Sequence, residues 1–152
     1  MERVITQLLD WRMQFQDYKA LILTGETPKE RLRVVREFVP KNFEDMMHVN
    51  LKNNQKVRDY INNNPPGPDA YFYLEKTLMG MIVPGDTCVV FENADACDHK
   101  AVFDYAENLF AEEDMGFLIL TGDFTEEELE EYGDRFIHID LPPAEKAADV
   151  NR

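Results

Sequence analysis

Two places in the 152-residue chain bring together residue types that can do chemistry. The first is the run Ala20-Leu21-Ile22-Leu23-Thr24-Gly25-Glu26-Thr27-Pro28-Lys29-Glu30-Arg31-Leu32. An apolar run, a glycine turn and a helix start can hold a phosphate, because free backbone amides and the helix dipole converge there. The residues at this helix start work against that use. Thr27-Pro28-Lys29-Glu30 reads as a capping box, with Thr27 at the N-cap, Pro28 in the first helical position and Glu30 at N3. Thr27 is expected to accept from the Glu30 amide, and the Glu30 carboxylate to reach back to the Thr27 amide, together contributing about 1 kcal/mol. The amides that would bind phosphate are then taken by the chain's own side chains.

The second place is the set Glu92, Asp95, Asp98 and Asp123, which follows two further apolar runs. Carboxylates at the ends of parallel strands sit where α/β sheets hold ligands. One or two of them with waters could hold Mg²⁺. The plainer reading is that Asp98 caps a helix and the others are solvated loop acids, so no metal is expected. Cys97 and His99 lie two apart in a loop, without the orienting third group that a nucleophile and base require. No catalytic residue is assigned. His48 and His138 each stand alone in a strand pattern and read as structural.

The elements that must position these residues alternate. Val4, Leu8, Trp11 and Phe15 form one stripe of a helix over 2–18, with Ile5 and Leu9 beside it. Ala20–Leu23 is a strand buried on both faces. A helix from Thr27 to about Val39 should turn Leu32, Val35 and Phe38 inward. Met46–Leu51 reads as a strand. Asn53 or Asn54 can cap a helix carrying Val57, Tyr60 and Ile61, and Asn62–Pro68 is a proline-rich loop. Asp69 is expected to cap a helix with Phe72, Leu74, Leu78, Met79 and Ile82 on its apolar side. Pro84-Gly85-Asp86 is a turn and Thr87–Phe91 a strand. Asp98 should cap a helix to about Glu112, with Val102, Tyr105, Leu109 and Phe110 inward. Phe117–Leu120 is a strand, and Thr125 caps an acidic helix ending near Tyr132, stopped by Gly133. Phe136–Leu141 alternates, as a half-exposed edge strand does. Five strands alternating with helices predict an α/β fold: a three-layer αβα sandwich around a five-stranded, mainly parallel sheet. Residues 1–143 read as one domain and 144–152 as a polar tail.

Composition narrows the function classes. The chain is 44% hydrophobic, with 10 Phe, 6 Tyr and 1 Trp to fill a core. Net charge is −14 and lopsided: 15 Asp and Glu stand against 13 Lys and Arg in residues 1–100, but 15 against 3 in 101–152. Such a field repels nucleic acid and anionic membrane and favours a basic partner. Two cysteines nine apart, Cys88 inside an apolar strand, read as reduced thiols of a cytoplasmic protein. No secretory signal pattern is read at Met1-Glu2-Arg3, and no apolar run approaches the ~20 residues of a membrane span.

The order of landmarks resembles the P-loop ATPases of the AAA type. It is most similar to a prokaryotic family whose N-terminal domain begins with a Trp-containing helix. That family carries G-A-R-Q-x-G-K-T after its first strand, F-D-E-I-Q after its third and T-G-S after its fourth. The matching residues are Leu8-Leu9-Asp10-Trp11, Leu23-Thr24-Gly25 followed by Arg36-Glu37-Phe38, Val89-Val90-Phe91, Leu120-Thr121-Gly122, Arg135 and Leu141-Pro142. Together they span about residues 2–143, and the resemblance implies the sheet order 5-1-4-3-2.

The departures fall on the chemistry. A phosphate-binding loop of the form G-x-x-x-x-G-K-[ST] needs a second glycine, a lysine and a hydroxyl. Gly25 holds the first position, but Glu30, Arg31 and Leu32 stand at the others. Glu92 and Asn93 stand where the resemblance places the metal-holding aspartate and catalytic glutamate, and Asp123 where a γ-phosphate would lie. The expectation is a degenerate site without ATP or Mg²⁺, in a monomer or weak homo-oligomer acting through an unidentified protein partner. Tyr71, Tyr73, Glu127, Glu130 and Glu131 are the candidate contacts. The alternatives are a weak or regulatory nucleotide binder, with Arg31 standing in for lysine, and an acidic inhibitor or immunity-type protein docking on a basic target.

Overall fold

The computed structural model describes residues 2–13, 20–111, 116–132 and 136–143. Phe15, Gly133, Arg135 and the tail at 144–152 lie outside them, as does the side chain of Phe110. The elements run α1 (Glu2–Met13), β1 (Ala20–Gly25), α2 (Pro28–Asn42), β2 (Asp45–Asn50), α3 (Gln55–Asn63), α4 (Pro68–Leu78), β3 (Thr87–Glu92), α5 (His99–Tyr105), β4 (Phe117–Thr121), α6 (Glu126–Tyr132) and β5 (Ile137–Leu141).

All strand pairs are parallel, and the sheet order is β2-β3-β4-β1-β5. Read from the other edge, this is 5-1-4-3-2, the order implied by the resemblance. Side-chain alternation along each strand divides the core into two layers. Ala20, Ile22, Val89, Phe91, Leu118 and Leu120 pack toward α3, α4 and α5. Leu21, Leu23, Cys88, Val90, Ile119 and Ile139 pack toward α1 and α2. The continuous apolar runs of β1, β3 and β4 follow from their burial on both faces.

Local chemistry sets most boundaries. Thr27 caps α2 and accepts from the Glu30 amide at 3.2 Å. Asn54 caps α3 through the Val57 amide, and Asp98 caps α5 through the Ala101 amide. Thr125 and Glu128 make the reciprocal box at α6: the Glu128 amide donates to Thr125 Oγ1, and the Thr125 amide donates to Glu128 Oε1.

Several expectations need correction. Helix α2 passes through Pro40 to Asn42, because a proline in the last turn costs one amide bond, and the Asn42 side chain donates to the Phe38 carbonyl. Its inward residues are Arg31, Val34, Val35, Phe38 and Val39, while Leu32 is only half-buried. Helix α4 starts at Pro68 with Gly67 at the N-cap, so Asp69 is inside it. Ala70 and Leu74 define its inward line, which leaves Phe72 on the opposite side, 64% exposed, and Met79 beyond the helix, 90% exposed. Helix α5 gives way at Ala106 to a wider π-type turn through Ala111.

Gly25 is the one glycine on which the sheet closes. Its φ is +86°, and a Cβ there would stand 2.5 Å from the Leu141 carbonyl oxygen and 2.8 Å from the Leu141 nitrogen, both backbone atoms of β5. Gly85 has φ +87° with no neighbour within 4 Å of a built Cβ. Gly25→Ala is therefore expected to destabilise by about 3 kcal/mol, and Gly85→Ala by about 1 kcal/mol. Equal losses in urea unfolding would exclude the close approach to β5 as the cause.

Candidate functional site

The positions at which nucleotide chemistry was expected lie at the carboxyl ends of β1, β3 and β4 and at the start of α2. The centre of the region is Arg31, in the first turn of α2, which is 0% exposed. Its side chain folds back under the turn that precedes its own helix. Nη1 donates to the Gly25 carbonyl at 2.8 Å, the Glu26 carbonyl at 3.1 Å and Asp123 Oδ1 at 3.0 Å. Gly25 and Glu26 both have positive φ, +86° and +50°, and their carbonyls face the guanidinium. A non-glycine residue in that region costs on the order of 1 kcal/mol, which the two carbonyl bonds from Arg31 offset. Arg31 Nε and Nη2 are buried without a partner. Asp123 lies at the surface, its side chain 69% exposed.

The other positions are each engaged within the chain. The Glu30 carboxylate does not reach back to the Thr27 amide: Oε2 takes Arg33 Nε and Nη2 at 3.1 and 2.8 Å, on the exposed face of α2. The side-chain half of the capping box is thus present, and the return half is replaced by an i,i+3 ion pair. Glu92, 7% exposed, lies 2.7 Å through Oε1 from Nε2 of His48 on the neighbouring β2. Asn93, with φ +55°, donates its amide to Thr121 Oγ1 and its side-chain Nδ2 to Asn50 Oδ1. Asp98 serves as the α5 cap. Among the described residues, no three His, Cys, Asp or Glu side chains converge as a metal site.

A cavity of about 410 Å³ opens beside this cluster, lined by Thr24, Gly25, Asp123, Phe124, Leu129 and His138, among others. Thr24 is the polar residue that sequence reasoning passed over. Its Oγ1 donates to Asp140 Oδ1 at 2.8 Å and lies 2.7 Å from His138 Nε2. A hydroxyl has one hydrogen. With that hydrogen on Asp140, the imidazole must donate at Nε2, so His138 cannot take a proton from Thr24. The three residues copy the membership of a hydrolytic triad but not its proton flow. They meet because parallel pairing sets Thr24 opposite Asp140 and Ile22 opposite His138, a register that no local pattern encodes.

Cys97 and His99 do not form a nucleophile and base. Burial pushes the Cys97 thiol up to about 12, and His99 turns to Glu128 and the Asp95 carbonyl. Burial also pushes the Cys88 thiol far above its ordinary value. Of the candidate contact residues, Glu127, Glu130 and Glu131 are exposed on α6. Tyr71 and Tyr73 are half-buried: the Tyr71 hydroxyl donates to the Ile82 carbonyl, and the Tyr73 ring stacks on Tyr60 at 3.7 Å. The exposed aromatic of that segment is Phe72.

No protein-family profile matches the chain, and no curated protein matches it in sequence. Among solved structures it is similar to the structure of PCH-2 from C. elegans, at 10% identity and a TM-score of 0.47. The match covers 93% of this chain and 41% of that one, so this chain spans under half the length of the protein it matches. No described helix is long and apolar enough to cross a membrane.

The burial asymmetry of the Arg31–Asp123 pair sets separable costs. Arg31→Ala removes a buried side chain and leaves two carbonyls without their donor, a loss of about 3 kcal/mol. Asp123→Asn alters a solvent-screened partner and should cost under about 1 kcal/mol. Urea unfolding of both variants checks the order. An Asp123→Asn loss as large as that of Arg31→Ala would place the stabilisation in the ion pair instead of the carbonyl contacts.

Proposed function

We propose that this chain is a degenerate P-loop domain of the AAA type, which does not turn over nucleotide and works through contact with another protein. The observation that supports this is the direction of Arg31. A working site presents backbone amides and a lysine to a triphosphate. Here the guanidinium is turned onto the carbonyls of Gly25 and Glu26, and the Glu30 amide is held by Thr27. Asp123 adds a carboxylate where the γ-phosphate would lie, and each like charge within a few ångströms costs on the order of 1 kcal/mol or more. A nucleotide and Mg²⁺ do not fit these residues without displacing Arg31. Glu92, which would hold the metal, is turned to His48.

A weak or regulatory nucleotide site, with Arg31 in the lysine role, would need the guanidinium to leave its carbonyls. A planar fork is also a poor substitute for a point charge inside a tight loop. The acidic-docking alternative has one observation in its favour. The described residues from 116 to 143 include no Lys or Arg, and they present Glu126, Glu127, Glu130 and Glu131 to solvent. A partner that meets this face is therefore basic, and its association weakens as salt rises.

Thermal unfolding with about 1 mM ATP or ADP and Mg²⁺ is the test. The melting temperature is expected not to move. Binding with a Kd near 10 μM would stabilise the fold by about 2.7 kcal/mol and raise Tm by about 5–10 °C. A rise of that size overturns the reading.

A further inference from the structure

We infer that His99 is held as an imidazolium between α5 and α6, and that it acts as a pH-sensitive latch fixing α6 to the body of the domain. Both ring nitrogens face acceptors. Nδ1 meets the Glu128 carboxylate, and Nε2 lies 3.0 Å from the Asp95 backbone carbonyl. A neutral imidazole has a single N–H and can satisfy only one of these; the doubly protonated ring satisfies both. The other oxygen of Glu128 takes the Thr125 amide at 3.0 Å and the Thr125 hydroxyl at 3.2 Å. One carboxylate therefore joins the start of α6 to the start of α5.

Among the described residues, helix α6 has few other ties. It is seven residues long and contains no fully buried residue. Its remaining anchors are the half-buried Leu129, Tyr132 stacked on Phe103 at 5.3 Å, and the preceding Phe124, whose ring packs on Phe103 at 4.8 Å and edge-on to His99 at 5.1 Å. The ionisable groups facing His99 are Glu128 from α6 and Asp95 from the turn after β3; the Phe124 ring supplies an uncharged wall. Thr125 and Leu129 also line the 410 Å³ cavity, so a loosened α6 opens that cavity.

Burial alone pulls the imidazole down. The hydrogen bonds to Glu128 and to the Asp95 carbonyl, with the charges of both acids, outweigh it and leave His99 above 6.5. The bond from His99, helped by the Thr125 amide, holds Glu128 below 4.5. The latch is therefore complete between those ordinary values. It is lost as pH rises through the raised His99 value, and lost again as pH falls through the lowered Glu128 value. This device stands whether or not α6 docks a partner.

The test follows the full chain by NMR from about pH 5 to about pH 9, a range that brackets histidine titration. The ring-nitrogen shifts of His99 should report a doubly protonated ring at pH 6, titrating above the ordinary histidine value. Hydrogen exchange of the amides in 126–132, corrected for intrinsic pH dependence, should show α6 opening more as His99 deprotonates. The gain is about tenfold for each pH unit by which the His99 pKa is raised. Amides of β1 and β4 should not follow. In Glu128→Gln the pH dependence of α6 opening should vanish, with His99 titrating lower. A neutral ring at pH 6, an α6 whose opening ignores pH, or an unchanged pH dependence in Glu128→Gln would each overturn the latch.

Discussion

A guanidinium with no solvent exposure, sealed behind the turn between β1 and α2, constrains everything around it. Three of its five N–H donors, those on Nε and Nη2, have no partner, and the remaining nitrogen must hold two carbonyls and one carboxylate. A buried cation needs acceptors around it, and here the bent backbone supplies two of the three. That bend is visible in the successive positive φ values at Gly25 and Glu26. The bend in turn requires a residue without Cβ at position 25, because β5 passes within van der Waals contact of it. One side chain thus ties the start of α2, the end of β1 and the edge strand β5 into a single geometry.

The sheet supplies the rigid frame for this. Strands β1, β3 and β4 are apolar on both faces, and their helices divide into an α1/α2 layer and an α3/α4/α5 layer. On the edge strand β5 the alternation leaves His138 and Asp140 exposed, and the face they share with Thr24 is covered only in part by α6. The cavity therefore arises from incomplete coverage of a short edge strand by a short helix. At the opposite, amino-terminal edge the frame is pinned by Arg12. It donates to the carbonyls of Asn42 and Gly85 and lies over the rings of Phe43 and Phe117, an anchor with no local sequence pattern to reveal it.

The divide between what the sequence disclosed and what it withheld follows the range of the interactions. The doubly buried strands, the Thr27, Asn54, Asp98 and Thr125 caps and the exposed alternation of β5 are local and were legible. So was the importance of position 31 at the start of α2. The direction of its side chain was not, because spacing says which residue occupies a turn and not whether the side chain points out or folds under. The helical stripe that seemed to bury Leu32 carried Arg31 inward in its place, an outcome that polarity alone argues against. The return bond of Glu30 failed for a related reason: Arg33, one turn on, offers a charge-assisted pair that outcompetes a single amide. Tyr71 and Tyr73 are half-buried because they flank the inward line set by Ala70 and Leu74. The Thr24–His138–Asp140 and His48–Glu92 contacts depend on which strands are neighbours, and that is decided by the fold as a whole.

Parallel sheets hold ligands at their carboxyl edge because strand ends and helix starts leave polar backbone groups there without partners. In this chain many of those groups have been given internal ones. The end of β1 is served by Arg31, the end of β3 by Thr121 and Asn50 acting on Asn93, and the start of α2 by Thr27. A ligand arriving at such an edge gains only the difference between its own contacts and those it displaces. Uncovering the two half-buried carbonyls would remove a charged donor from each, at about 1 kcal/mol apiece. An anion would also have to turn the guanidinium around before gaining anything from it. The same arithmetic leaves protein surfaces untouched, since contacts at α6 and the cavity rim displace water and not Arg31. The closure of this edge therefore raises the cost of any small anionic ligand there, while the acidic face of α6 beside it carries no such cost.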